Sequence, residues 1–123
     1  ARNFRLLLVD DTPFFREIVK RYLSEMGYTI ETAKDGLEGL QMLNDQSFDL
    51  VVSDIEMPNL DGFGFCKRAR EQGYTMPFVA LTSLTKNDYQ SRALSCGFNA
   101  FEEKLDRDRL VRVVQDILAQ LPA

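Results

Sequence analysis

Apolar and polar positions along the chain follow two alternating rhythms. A short apolar run over residues 4–9 stops on Asp10-Asp11. Thr12-Pro13 then offers a capping residue and a proline at the first helical position, and Phe14, Phe15, Ile18, Val19, Tyr22, Leu23 and Met26 follow at helical spacing up to Gly27. Residues 28–33 read as a strand. Asp35-Gly36 opens a second helix carrying Leu37, Leu40 and Leu43. A continuous apolar strand covers residues 48–53 and stops on Asp54. A loop with Pro58 and Gly62 leads to a third helix over residues 63–71. Pro77 precedes a fourth strand, 78–81, and a helix over residues 86–95 ends at Cys96-Gly97. Residues 99–103 form a short fifth strand, and Leu110, Val113, Val114, Ile117, Leu118 and Leu121 line one face of a last helix.

Five strands alternating with five helices predict an α/β fold: a doubly wound parallel sheet with helices on both faces. Strands 1, 3 and 4 are the most continuously apolar and belong at its centre. No linker or repeat interrupts the pattern, so residues 1–123 are expected to form one domain.

Composition narrows the function. A formal charge of −4 and a pI near 4.8 speak against nucleic acid as a partner of this segment. No apolar stretch is long enough to span a membrane and no signal-peptide pattern opens the chain, so a cytoplasmic location is expected. The absence of histidine argues against a zinc site and against Ser-His or Cys-His nucleophiles. Cys66 and Cys96 lack CxxC spacing and read as small core residues. Ala1 at the start fits removal of an initiator Met or a domain cut from a longer chain.

The chemistry gathers at one edge. In an open parallel sheet, ligands bind beyond the carboxyl ends of the strands. Those ends carry Asp10-Asp11, Asp54, Thr82-Ser83 and Lys104. Carboxylates about 5 Å apart repel by roughly 3 kcal/mol at an effective dielectric near 20. A hard divalent cation relieves that penalty, and Mg²⁺ favours carboxylate oxygens and serves phosphate chemistry. Lys104 and the Thr82 hydroxyl are then placed for phosphoryl oxygens, and a carboxylate is a competent nucleophile toward phosphorus. Each residue also has a plainer reading. Asp10 and Asp11 suit helix capping, Lys104 a surface lysine and Thr82 a strand-end hydroxyl. Asp61 and Gly62 suit a helix cap and a backbone turn, the phenylalanines suit core or helix-face packing, and Lys67, Arg68 and Arg70 suit a solvated helix face.

Taken together, Asp10-Asp11, the Asp-x-x-Met-Pro-x-x-Asp-Gly run at 54–62, Leu81-Thr82-Ser83 and Lys104 resemble the receiver domain of two-component response regulators across nearly the whole chain. The resemblance implies a flavodoxin-like sheet in the order 2-1-3-4-5. It implies Asp54 as phosphoacceptor from a phospho-His donor, on a histidine kinase or phosphotransfer domain. Asp11 would ligate Mg²⁺ directly, Asp10 mainly through water, and Glu56 through its backbone carbonyl, with Asp54 completing the set. Thr82 and Lys104 would hold the phosphoryl group. Phe101 occupies the aromatic switch position, either as a switch or as a fixed core residue. A downstream protein would read the helix 4–strand 5–helix 5 surface, where residues 86–95 offer few large apolar anchors beyond Tyr89 and Leu94.

Two departures stand out. Leu105 follows Lys104 where most receivers place proline, so a trans bond and an altered loop are expected. Glu56 lies beside the path of a hydrolytic water and is expected to slow or redirect dephosphorylation. The Lys-Leu-Asp-Arg-Asp run at 104–108 resembles receivers attached to chemotaxis-type histidine kinases, which fits the C-terminal receiver of a hybrid kinase. The competing readings are a pseudo-receiver that binds proteins without phosphorylation, which predicts a broken acid set, and an aspartyl phosphatase. The latter would carry Asp-x-Asp on the first strand and a cap domain, and the chain has neither. A self-phosphorylating acceptor without turnover of an external substrate is the expectation.

Overall fold

The computed structural model describes residues 3–82, 89–104 and 106–122. Among these, five strands alternate with five helices: β1 (Arg5–Val9), α1 (Pro13–Ser24), β2 (Thr29–Ala33), α2 (Gly36–Asp45), β3 (Leu50–Asp54), α3 (Gly62–Glu71), β4 (Phe78–Thr82), α4 (Tyr89–Cys96), β5 (Ala100–Glu103) and α5 (Arg107–Ala119). All strand pairs are parallel and the sheet order is β2-β1-β3-β4-β5, as the family resemblance implied. β3 and β4 are buried at every residue and β1 at all but its first, while the outer strands β2 and β5 stay half-covered.

The two-residue period of a strand divides the core in two. Leu7, Val9, Val51, Phe78 and Ala80 face α2, α3 and α4, where Leu40, Leu43, Phe63, Cys66, Ala69 and Ala93 meet them. Leu6, Leu8, Leu50, Val52, Val79 and Leu81 face the other way, onto Val19 and Leu23 of α1 and Leu110, Val114 and Leu118 of α5. Each inward strand residue thus has a helix stripe opposite it, which makes the continuous apolar runs of β1, β3 and β4 stable in water.

Several local expectations are corrected. Thr12 stands at the N-cap of α1 but its side chain makes no capping hydrogen bond; Asp10 Oδ1 instead accepts from Thr12 N–H at 2.9 Å. Helix α1 ends at Ser24, so Met26 lies beyond its regular turns. Phe14 is 67% exposed and belongs to no core cluster; its ring forms a T-shaped pair with Phe15. Leu94 is 52% exposed, so α4 is anchored through Ala93 and through Tyr89, whose ring meets Phe63 edge-on.

Arg70 is no part of a solvated face. Its guanidinium donates to the carbonyls of Gly97, Tyr74 and Met76 and to Asn99 Oδ1, and it lies over the Phe78 ring. Lys67 and Arg68 are exposed as expected. Asp61 caps α3 by accepting from Gly64 N–H at 2.8 Å. Gly62 is required for a different reason than a turn. Its φ is not positive, but a Cβ there would lie 2.2 Å from the Asp54 carbonyl oxygen and 2.8 Å from Ile55 Cα. Close approach of backbone to backbone, not conformational freedom, excludes a side chain. The expected trans bond before Leu105, together with Ser83 and the start of the fourth helix at residues 86–88, lies outside the described residues.

Candidate functional site

Strand register assembles the site. Val9 pairs with Ser53, so Asp10, one residue past β1, stands level with Asp54 at the end of β3. Asp54 pairs with Leu81, placing Thr82 one step further along β4. Thr82 pairs with Glu103, and Lys104 N–H donates to the Thr82 carbonyl at 3.0 Å. Asp10, Asp11, Asp54, Thr82 and Lys104 thereby share the carboxyl edge of the three central strands and β5, as strand direction predicted.

The carboxylates converge closely. Asp10, Asp11 and Asp54 each offer an oxygen within 4.8 Å of the others. Asp10 is fully buried, Asp54 nearly so, and Asp11 is partly open. Lys104 is only 3% exposed, which removes the surface-lysine reading. Its Nζ lies 3.0 Å from Asp10 Oδ2 and 3.2 Å from Asp54 Oδ2. The contact to Asp10 has ion-pair distance without hydrogen-bond geometry, so the buried Asp10 Oδ2 has no hydrogen-bond donor among the described residues. Asp54 Oδ1 accepts from Ile55 N–H at 2.8 Å, which orients the carboxylate.

The charges do not cancel. Burial first, and then the negative charge of Asp10, push the Asp54 carboxyl up to about 7, against the pull of Lys104 and the Ile55 N–H. Among the described residues one ammonium faces three acids, leaving the cluster net negative. Its donors are all hard oxygens, and one of them, Asp10 Oδ2, is ion-paired but accepts no hydrogen bond among the described residues. Oxygens bound to Mg²⁺ at about 2.1 Å lie up to about 4.2 Å apart across the ion, close to the spread seen here. The residues therefore fit a small hard divalent cation.

The remaining predicted positions fall around this centre. Glu56 follows Ile55 in the bend after β3, with its side chain exposed. Thr82 is buried, on the same sheet face as Ala80 by strand alternation. Phe101 is half-buried against that same face.

Sequence reasoning missed three supports. Phe15 lies with its ring centroid 4.5 Å from Lys104 Nζ. Arg16 donates from Nη1 to the Asp10 carbonyl at 2.8 Å. Asp35, which opens α2 as expected and caps it by accepting from Glu38 N–H, also accepts from Asn59 Nδ2 at 2.8 Å, tying the loop after β2 to the loop after β3. Asn59 has φ 68°, a conformation asparagine tolerates better than most residues, and an Asn between Pro58 and Leu60 was the available signal. Nothing local to residues 12–16 announced the other two contacts.

Comparison with known proteins agrees with this geometry. The response regulator receiver domain family model matches residues 6–115. The sensor protein EvgS of Escherichia coli is 37% identical over 94 residues, covering 76% of this chain and 8% of its own length. The chain spans only 8% to 10% of the sensor proteins it matches first. A Francisella response regulator receiver domain superposes with a TM-score of 0.90 at 28% identity, covering 96% of this chain and 98% of that one. The Thermotoga maritima response regulator TrrA, solved in complex with Mg²⁺-BeF, superposes with a TM-score of 0.84 at 33% identity, covering 93% and 98%.

Proposed function

The chain belongs to the response regulator receiver family, and from that premise we propose that Asp54 accepts a phosphoryl group from the phosphohistidine of a histidine kinase or phosphotransfer domain. The observation that carries this reading is the convergence of three carboxylates within 4.8 Å around a buried lysine. An oxygen of Asp54 forms a bond to phosphorus as the donor's P–N bond breaks, and the imidazole nitrogen keeps the electron pair and takes up a proton. Ile55 N–H holds the attacking carboxylate in place. Lys104, already beside Asp54, neutralises charge on the transferred oxygens together with the Thr82 hydroxyl. Asp11 and Asp54, the Glu56 carbonyl and, through water, Asp10 would hold Mg²⁺. When bound, the ion supplies positive charge to the acid cluster and to the phosphoryl oxygens.

The transferred group adds about −1.5 to −2 charges and three acceptor oxygens. Thr82 and Phe101 share a sheet face, so a shift of the Thr82 hydroxyl toward phosphate changes the space beside Phe101. The surface of α4, β5 and α5 then differs between the two states, and a downstream protein reads it. A recess of about 240 Å³ lined by Gln90, Phe101, Glu102, Glu103, Asp106 and Arg109 lies on that surface. As a receiver the chain is a signalling module, and turnover of an external substrate is not proposed. Similarity to sensor proteins supports a tether to a histidine kinase, and a cytoplasmic location is part of this proposal; attachment to a chemotaxis-type kinase rests on residues 104–108 alone.

The test is incubation with Mg²⁺ and acetyl phosphate followed by intact-mass measurement. Wild type should gain one phosphoryl group and Asp54→Asn none. An unmodified wild type would favour the pseudo-receiver, and rapid turnover of varied phosphate esters would favour a phosphatase.

A further inference from the structure

Among the described residues, the ammonium of Lys104 has two kinds of neighbour. On one side are Asp10 Oδ2 at 3.0 Å and Asp54 Oδ2 at 3.2 Å. On another is the ring of Phe15, its centroid 4.5 Å from Nζ. That distance puts the cation over a π face in a site almost closed to water, where such contacts are strongest. The ring is itself held. Phe14 forms a T-shaped pair with it, with centroids 5.6 Å apart and planes at 72°. The first turn of α1 that carries both rings is fastened to Asp10 at two points, Thr12 N–H to Oδ1 and Arg16 Nη1 to the carbonyl. The residue that supplies a buried acid therefore also sets the ring against the lysine that faces it.

We propose that Phe15 is a positioning residue for phosphoryl transfer, its ring fixing the Lys104 ammonium against the acid cluster where the incoming oxygens arrive; the assignment rests on Asp54 being the acceptor. A lysine head is a compact charge on a flexible four-carbon stem, and two carboxylates alone leave it free to favour either one. The π face closes the third side. It attracts the cation without adding a negative charge that would compete for it. A leucine at this position keeps the apolar cover and loses the quadrupole, whereas tyrosine keeps both.

Two readouts test this on the intact chain. In the metal-free protein, NMR of the Lys104 side chain should show its Hε protons shifted upfield by the ring in wild type and in Phe15→Tyr, and returned toward ordinary lysine positions in Phe15→Leu. With Mg²⁺ and acetyl phosphate, the bond from Asp54 to phosphorus forms as the donor P–O bond breaks and acetate leaves with the electron pair. Phe15→Leu should slow that step by about 5- to 30-fold, the range a partly or fully desolvated cation–π contact represents, and Phe15→Tyr should restore it. Wild-type Lys104 without a ring shift would overturn the assignment. So would a Phe15→Leu rate equal to wild type, or a folded Phe15→Tyr as slow as Phe15→Leu. A wild type that takes up no phosphoryl group at Asp54 would overturn the proposed function and the positioning role with it, while the NMR shift would still report whether the contact exists.

Discussion

Replacing Asp54 by asparagine removes a charge that the metal-free fold resists. Asp54 and Asp10 offer oxygens within 4.8 Å of each other, a repulsion of about 3.5 kcal/mol at an effective dielectric near 20. Lys104 Nζ at 3.2 Å returns about 5 kcal/mol on the same scale. Burying the carboxylate costs several kcal/mol more, so the sum is unfavourable. A carboxyl held at about 7 instead of 3.8 is penalised in its charged form by about 4 kcal/mol. The sign follows from proton binding. The folded state takes up the Asp54 proton more readily than the unfolded chain does, so the penalty is small near the unfolded value and complete above about pH 7. In Asp54→Asn the amide oxygen can still accept from Ile55 N–H, and Lys104 keeps Asp10 at 3.0 Å. The variant should therefore be more stable than wild type by about 2–4 kcal/mol near pH 8 and by about 1 kcal/mol near pH 4.5. Urea unfolding in the presence of a chelator measures this. With a denaturant slope of roughly 1–3 kcal/mol per molar, the midpoint at the higher pH should rise by on the order of 1–2 M. Mg²⁺ should stabilise wild type and narrow the gap, by about 2.7 kcal/mol at a hundred times its dissociation constant. A variant no more stable than wild type near pH 8, or an equal gain at both pH values, would refute the charge-repulsion account.

Other substitutions probe the supports of the site. Asp35→Ala should cost about 1–2 kcal/mol at neutral pH, since it removes the α2 cap and leaves Asn59 Nδ2 without its acceptor. The Glu38 N–H holds the Asp35 carboxyl below its ordinary value, so this stability is present above the unfolded value and lost as pH falls through the folded one; the gap between variant and wild type should close in acid unfolding curves. Gly62→Ala forces a Cβ onto the backbone of Asp54 and Ile55 and should destabilise by about 1–3 kcal/mol or more, with slower acquisition of phosphate because Asp54 itself is displaced. Arg70→Ala unties Gly97, Tyr74 and Met76 from a charged donor and should lower stability by about 2–3 kcal/mol, read by thermal unfolding. Glu56→Ala should shorten the lifetime of the acyl phosphate, followed by loss of label from isolated phosphoprotein; an unchanged lifetime would remove Glu56 from the hydrolytic path.

What the chain alone determined was everything that depends on local pattern and on direction. Apolar runs alternating with amphipathic stretches fixed the ten elements to within a few residues, because hydrophobic period is a property of neighbours in sequence. The parallel arrangement those elements demand turns every strand the same way, so Asp10, Asp11, Asp54, Thr82 and Lys104 had to meet at one edge before any distance was known. Tertiary structure decided which atoms touch across that edge. Lys104 reaches back to Asp54 and Asp10, fifty residues and more away, and nothing within its own loop distinguishes it from a surface lysine. The same holds for Phe15 on Lys104, for Arg70 on the carbonyls of another turn, and for Phe14, whose helical spacing fitted the core or a helix face and which lies on the exposed face. Gly62 shows the division most plainly. Its sequence neighbours suggested a turn, but what forbids a side chain there is the Asp54 carbonyl oxygen, which the packing of α3 against the end of β3 leaves 2.2 Å from where a Cβ would sit. Periodicity encodes which face of an element is buried; only the packed chain settles what each buried group meets.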